Sequence, residues 1–560
     1  MRRLILIPAA LLVLACQDRT PDQAELRVIA EGAALRGANG INFGPDGNLY
    51  IAIVLGQEIV VMDRRNGTIL HRLGMELGVE FPDDLVFGPD GSLYWTNPVA
   101  GEVGRRTPGG VVTKQMVAPG ANPITFSPDG RLFVGLCFSG DGLYELDPEL
   151  MEAPRPIIVA TPENRNPLGY MNGFAFGPDG RLYGPIFTRG MVVSVDVGQP
   201  GDPPSLSPWT DGTIQVVATG FTEPAAVKFD PWDQLHVVDA GTGEVVRVDR
   251  TTGEKTVIGT LEPGLDNLAF DPRGELYVSN FRHGSITQIL SSGQARTISP
   301  GGMIVPMGVA VLEGPDGGEA VFVADYWSLR KFDGRTGRQE SVYWGPVVRE
   351  VDPPSLTRLY TLSTDGDHLV VSSWTAVQVW DPRTDRVLEH YPMPRLLNAI
   401  RFRDDLVVAS PRLDGVVWAS DRGMVLPVDG ANVIEPAGLA TDGEVLWVAD
   451  WATGTVWQIG FDGRAPLDPV RVASGLANPE GMAVDLDGSL LVVEAGAGRL
   501  SRIDLTTGVV SVLVDGLEPG VQATGSFPPT YWFDGVAVGP SGAVYVTDNV
   551  NNTLLRIGPR

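Results

Sequence analysis

The stretch FGPDGNLYIA, residues 43–52, returns along the chain as FGPDGSLYWT from 87, FSPDGRLFVG from 126 and FGPDGRLYGP from 176. In the wider window ANGINFGPDGNLYIA the apolar Ile41 and Phe43 alternate with their neighbours, Pro45-Asp46-Gly47 supplies a turn, and Leu49-Tyr50-Ile51 resumes an extended run. That pattern predicts a β-hairpin. EIVVMD (58–63) reads as a third strand, and after a turn at Gly67 TILHRLG (68–74) reads as a fourth, before PDDLVF begins the next copy. The repeating unit is therefore four short antiparallel strands, one blade of a β-propeller.

The number of copies sets the architecture. The turn proline recurs at Pro45, Pro89, Pro128, Pro178, Pro231 and Pro272, at intervals of 44, 39, 50, 53 and 41 residues. Less regular copies begin at Met307, Leu359, Asn398, Ala437, Glu480 and Asp534. Twelve blades exceed the four to eight that usually form one ring, so the expectation is an all-β chain of two tandem six-bladed propellers. The chain opens with an outer strand, ELRVIA (25–30), and ends on a third strand, TLLRIG (553–558), with no fourth behind it. Each propeller is thus expected to be closed by an N-terminal outer strand: ELRVIA against SITQIL (285–290) in the first, and ARTIS (295–299) against TLLRIG in the second. The expected division is 1–15 signal peptide, 16–24 tether, 25–292 first propeller and 293–560 second propeller.

Composition narrows the partners. Lys plus Arg number 42 against 68 Asp plus Glu, so the formal charge is 42 − 68 = −26. A chain this acidic repels a phosphate backbone, which argues against nucleic acid. Arg2 and Arg3 precede an apolar run from Leu4 to Leu14 that is too short to span a bilayer as a helix. Val13-Leu14-Ala15-Cys16 resembles the lipobox of bacterial lipoproteins, which implies lipidation at Cys16 and a place on the cell envelope, periplasmic or at the cell surface, touching membrane only through its lipid; a monomer is expected. With Cys16 acylated, the one other thiol, Cys137, has no disulfide partner and is expected to be a buried small hydrophobe.

EGMAVDLDGSLLVVE and DGVAVGPSGAVYVTDNVNNTLLRI resemble NHL repeats, while MNGFAFGPDGRLYG and ANGINFGPDGNLYIA resemble the senescence-marker/gluconolactonase (SMP-30) and paraoxonase-type six-bladed propellers. The resemblance spans nearly the whole chain after the signal and implies fold more than activity, because such propellers serve lactonases, lyases and binding proteins alike. Residues expected beside the channel of the first ring are Asn39, Asp83 with Asp84, Asn122, Asn172, Glu223, and Asp266 with Asn267. Converging hard oxygens suit Ca²⁺ better than Zn²⁺. The family resemblance implies Asn122, Asn172, Glu223 and Asp266 as ligands of one divalent metal. Glu223 stands there where the family has Asp, and Asn39 where it has the first Glu.

For acid–base work the expected catalytic residues are Asp266 and, in SNFRHGSITQI of the same blade, His283, the one histidine expected near the channel mouth. There is no GxSxG, CxxC, HExxH or GxxxxGK[ST]. Asp239, Asp325, Asp450 and Asp548, each ending a second strand, are expected to brace the turn that follows. Nine of the 12 Trp lie beyond residue 300. Trp327, Trp374, Trp451, Tyr531 and Trp532, with Glu480 and Asp534, are expected to form an aromatic, acid-bearing face for a small molecule, a carbohydrate or a protein.

Two function classes follow: an envelope-anchored recognition scaffold, and a metal-dependent lactonase or esterase using the first ring. Cys16→Ser is expected to abolish lipid labelling and move the protein from the membrane to the soluble fraction. Tight membrane association of a signal-cleaved, unlabelled variant would contradict the lipid anchor.

Overall fold

The computed structural model describes residues 25–314, 317–345, 355–356, 358–393, 396–410, 413–520 and 532–558. Cys16 and Tyr531 lie outside the described residues. Within them the chain forms twelve four-stranded antiparallel sheets and one two-stranded ribbon, Phe461–Asp462 with Ala465–Pro466. The quoted hairpin is the start of the first sheet: Ala38–Phe43, Leu49–Ile53, Glu58–Met62 and Ile69–Leu73, with Phe43 facing Leu49 across the turn. Numbered in chain order, sheets 2 to 6 occupy 85–116, 121–159, 175–219, 224–260 and 265–299, sheets 7 to 11 occupy 309–344, 359–392, 398–427, 436–473 and 479–515, and sheet 12 consists of Val536–Val538, Val544–Asp548, Thr553–Gly558 and Glu25–Glu31.

Burial follows strand order. The second strand of nearly every sheet is closed from end to end, as in Leu93–Asn97, Leu132–Leu136 and Leu490–Glu494, whereas fourth strands such as Ile69–Leu73 and Lys255–Thr260 are largely exposed. Apolar clusters form between neighbouring sheets; one joins Phe133 and Leu143 of sheet 3 to Leu182 and Val193 of sheet 4. First strands contact each other in sequence from sheet 1 to sheet 6, and that of sheet 6 returns to that of sheet 1; sheets 7 to 12 repeat this cycle. A cavity of about 240 Å³ is lined by the first strands of all six of sheets 7 to 12, among them Val309, Thr361, Asn398, Leu439, Met482 and Val536. This radial arrangement of four-stranded sheets is a propeller architecture.

The outer strands are paired otherwise than the termini suggest. Ala295–Ser299 completes sheet 6 against Ile286–Ile289, and the N-terminal strand Glu25–Glu31 completes sheet 12 against Thr553–Gly558. The expected exchange of outer strands therefore does not occur, and neither ring is closed as predicted: sheets 1 to 6 are each built from consecutive strands. The reason is chain entropy. Ile289 and Ala295 are joined by a short turn at Leu290–Gln294 that closes with two backbone hydrogen bonds, so a local strand reaches the free edge of sheet 6 far more readily than one some 250 residues away. The edge left open is that of sheet 12, and Glu25–Glu31 takes it.

The chain consequently passes between the two cycles twice, around residues 32–37 and 300–306. The passages run side by side. Ala33 N–H donates to Met303 O at 2.7 Å, Gly32 N–H donates to Asn552 O at 2.8 Å, and the Asn552 side-chain amide donates to both Ala33 O and Met303 O at 3.0 and 2.9 Å. A Cβ at Gly302 would lie 2.8 Å from Ala33 N, so the close approach requires glycine there.

Deleting residues 25–31 is expected to destabilise sheets 7 to 12 and leave sheets 1 to 6 protected. Hydrogen exchange on the full-length and deleted chains should show new exchange in Thr553–Gly558 and Val544–Asp548 and none in Ile286–Ile289. The opposite pattern would contradict the pairing.

Candidate functional site

In each cycle the first strands begin at one end, here called the mouth. At that end the register of the first hairpin slips: between Ala38 and Ile41, Ala121 and Ile124, Leu265 and Leu268, and Pro479 and Met482. Such bulges re-aim side chains, and the residues inside them are Asn39, Asn122, Asp266 with Asn267, and Glu480. Asp83 and Asp84 hold the corresponding place ahead of Leu85–Phe87. The Asp83 and Asp84 backbones are tied to Thr96 on the second strand of the same sheet, and Asp83 O accepts from Gly40 N of sheet 1 at 2.8 Å.

In sheets 5, 7, 10 and 12 the loop leading into the first strand is clamped from the second strand of the same sheet. Asp239 accepts from the N–H groups of Thr222 and Glu223, Asp325 from Ile304 and Val305, Asp450 from Ile434 and Glu435, and Asp548 from Glu518. Asp239, Asp450 and Asp548 also accept from the turn after their own strand, which is the bracing expected of them. Each of these four carboxylates thus fixes the entry into a first strand.

The first mouth concentrates buried acid. Asp84 reaches across the cycle: its oxygens accept from Leu85 N at 2.9 Å, Ile124 N of sheet 3 at 3.2 Å and the Asn267 amide of sheet 6 at 3.3 Å. Burial raises its pKa, opposed by Lys228 and these donors. Asp83 and Asp266 face one another with less help. Burial, then the charge of Asp84, pushes the Asp83 carboxyl up to about 7 against one hydrogen bond with the Asn122 side chain. Asp266 is raised well above the usual range by burial and then by Asp83 and Asp84, and none of the described residues donates to its carboxylate. The buried Cys137 thiol stands in the same field, pushed up by burial, then by Asp83, Asp141 and Asp266.

The expected metal set is divided. Asn122 reaches Asp266 only through Asp83. Asn172 is 8% exposed, and its side-chain amide has no hydrogen-bond partner among the described residues. Asn39 Oδ1 is buried and likewise unpartnered. Glu223 lies beside the Arg282 guanidinium, whose charge competes with any metal for it. His283 sits apart: Nε2 is 3.3 Å from Glu262, the ring is tilted against Trp344 at 6.2 Å, and its carbonyl accepts from Gly302 in the crossing. Among the described residues no three of His, Cys, Asp and Glu come close enough to hold an ion by themselves. Asp83 enters this site as the partner of Asp266. Its sequence signal is the Asp-Asp doublet at the position where the sixth sheet carries Asp-Asn.

The second mouth differs. Glu480 and Asp534 are fully buried, and Asp534 accepts from Asn549 N, the Asn549 amide and Gly520 N at 3.0, 2.8 and 2.7 Å while donating its own N–H to Glu480 at 2.9 Å. Trp532 is 1% exposed, and Tyr326 contacts Trp327, Trp374 and Trp532 edge-on at 4.6, 6.3 and 5.2 Å. Half-buried Trp451 joins the same cluster with Ile304, Val305, Met307, Tyr360, Leu397, Phe533 and, from the first cycle, Leu55. Trp327 also packs edge-on against Phe281 of sheet 6 at 5.4 Å. The aromatic side chains expected to rim a binding face instead pack on one another and on the first cycle, because the second mouth is apolar at Met307, Tyr360, Leu397 and Phe533 and must be covered.

No family model matches the sequence, and no curated protein matches it. Among solved structures, the chain is similar to a streptogramin B lyase at 15% identity, covering 54% of this chain and 94% of that one with a TM-score of 0.38. A protein described as a gluconolactonase matches at 16% identity over 50% of this chain and 94% of its own, TM-score 0.35. The extracellular domain of a B. thetaiotaomicron protein described as a one-component system matches at 11% identity over 94% of this chain and 76% of its own, TM-score 0.32. At these scores the likenesses carry nothing about activity, and the architecture rests on the sheets themselves. No helix among the described residues is long and apolar enough to cross a membrane.

A carboxyl whose pKa is raised on folding contributes most below its unfolded value, near 4, and that contribution is lost as pH rises through about 7. Asp83→Asn removes the loss. The variant is expected to match the wild type near pH 4 and to be more stable at pH 8 by on the order of 1–3 kcal/mol in urea unfolding. Equal stability at pH 8 would contradict the account of the pair.

Proposed function

We propose that the protein is a recognition scaffold of two six-bladed propellers, the first inserted into the last blade of the second, and that its ligand binds at the first mouth. The observation that carries this reading is the set of polar side chains there that make no hydrogen bond to the described residues: the half-buried Asp266 carboxyl, the Asn172 amide and the buried Asn39 Oδ1, from sheets 6, 4 and 1. A buried polar atom left unpaired, as Asn39 Oδ1 is, costs about 1–3 kcal/mol, a cost that a ligand offering donors relieves. The second mouth supports the same reading by contrast, since its Asp534 already has three donors and its aromatic side chains cover one another. The NHL and SMP-30-like spelling of the repeats, lipid anchoring at Cys16, and a monomer in the cell envelope belong to this proposal.

A second reading has its own observation. Asp83, Asp266 and Asn39 Oδ1 are hard oxygens, and a donor set of carboxylates and amides fits Ca²⁺ rather than Zn²⁺. With such an ion bound, the first mouth would have the polarising group of a lactone or ester hydrolase. Asp266 and Asp83 would hold the ion, and Asn39 and Asn172 would complete its shell.

Calorimetric titration of the full chain with Ca²⁺, Mg²⁺, Mn²⁺ and Zn²⁺, followed by amines, sugars and a lactone and ester panel, separates the two readings. Binding without turnover, weakened roughly tenfold or more in Asp266→Asn and Asn172→Ala and unchanged in Trp374→Ala, is expected of the scaffold. Metal-dependent turnover lost in the same two variants would establish the hydrolase instead. Ligand binding lost in Trp374→Ala and kept in Asp266→Asn would move the site to the second mouth.

A further inference from the structure

Beside the first mouth an aromatic side chain is held out at a position that ordinary folding would leave to glycine. Phe138 follows the strand Leu132–Leu136, whose last residue pairs with Ala121 just before Asn122. It has φ +63° and is 45% exposed. Ser139 N–H donates to Cys137 O at 2.8 Å, so Phe138 is the centre of a three-residue turn of positive φ, a rare and strained form. Its ring stacks on Tyr170 at 5.8 Å with 29° between planes and meets Phe187 edge-on at 5.9 Å. Tyr170 also has φ +63°.

Tyr170 is fixed from the neighbouring sheet. The buried Asp141 carboxylate accepts from Leu168 N at 2.9 Å, Gly169 N at 2.8 Å and Tyr170 N. Two residues further on is Asn172, a residue 8% exposed whose amide makes no hydrogen bond to the described residues. The residue before Phe138, Cys137, lies within the field of both Asp83 and Asp266. An exposed aromatic face, an unpaired amide and a pair of carboxylates are thus gathered at one end of the first cycle. A metal ion has no use for the aromatic face, and a neutral sugar brings no positive charge to favour ionisation of the acid pair.

We infer that the first mouth takes a small amine bearing an aromatic or apolar face, with its ammonium group toward Asp83 and Asp266, its face on Phe138, and Asn172 bonding a polar substituent. This specifies the ligand class of the site proposed above and rests on that proposal. An ammonium group supplies the charge and the donors that Asp266 lacks, and aromatic faces attract cations when both are partly desolvated.

The test uses the full chain and four probes: tryptamine, ethanolamine (an amine without a face), tryptophol (the same face without charge) and Ca²⁺. Calorimetry is expected to show tryptamine bound, with ethanolamine and tryptophol weaker by roughly tenfold. Phe138→Ala should weaken tryptamine by about tenfold and leave Ca²⁺ binding or its absence unchanged. Phe138→Gly should weaken tryptamine equally while raising Tm, since glycine adopts this φ freely, and that gain separates lost binding from lost folding. Failure of wild type to bind tryptamine, or wild-type affinity in Phe138→Ala, would overturn the inference. In that event, binding of Ca²⁺ or of a neutral ligand that Asp266→Asn abolishes would leave the site standing with another ligand. If no probe responds to Asp266→Asn, the site falls as well.

Discussion

The paired crossing at Ala33 and Met303 is the constraint on which the arrangement of this molecule depends. Once Glu25–Glu31 lies against Thr553–Gly558, the chain must leave sheet 12, build six sheets, and return within hydrogen-bonding distance of where it left. The first cycle is therefore an insertion whose ends meet, held by two strands of chain rather than one. Asn552 joins both strands at once, and Arg330 adds a bond from its guanidinium to Gly302 O at 2.6 Å. A single flexible linker would let the cycles reorient; two adjacent linkers bonded to each other restrict that motion severely.

The crossing also determines what the two mouths can do. Ile304 and Val305, part of the return passage, enter the apolar cluster over the second mouth together with Leu55 of the first cycle. The N–H groups of Ile304 and Val305 are in turn held by Asp325, whose other oxygen receives Arg330 Nε at 2.6 Å. The second mouth is thus occupied by the chain's own connection. At the first mouth Asp266 has no hydrogen-bond donor among the described residues. One repeated unit yields two unlike ring ends, one polar and one largely apolar, and the difference lies in a handful of residues at the entry to the first strands: Asn39, Asp83, Asn122, Asn172, Glu223 and Asp266 against Met307, Tyr360, Leu397, Ala437, Glu480 and Asp534.

Five of these first-mouth residues were legible in the sequence because each stands six residues before the turn proline of its hairpin, whereas Glu223 stands eight before Pro231 and the six-residue position there is Ala225. Their grouping was not. Whether Asp266 meets Asp83 or Glu223 depends on the diameter of the ring and on competitors such as Arg282, which comes from a loop 59 residues after Glu223. The tryptophans show the same limit from the other side. Their places after second strands were readable, but a Trp on a loop is equally suited to binding a ligand and to covering an apolar opening, and only the neighbours decide.

By itself the sequence determined the strands, the four-stranded unit and its twelve copies, since these rest on alternation and turn chemistry within some forty residues. It determined equally the turn-bracing role of Asp239, Asp450 and Asp548, which recurs with the repeat, while Asp325 in the same place holds Arg330 instead. Which outer strand completes which sheet was decided only by tertiary structure. The strands ELRVIA and ARTIS carry the same alternation and fit either edge, so no local signal separates them. What separates them is the length of chain to be closed, and the N-terminal strand pairs at the far end because the near edge is already filled.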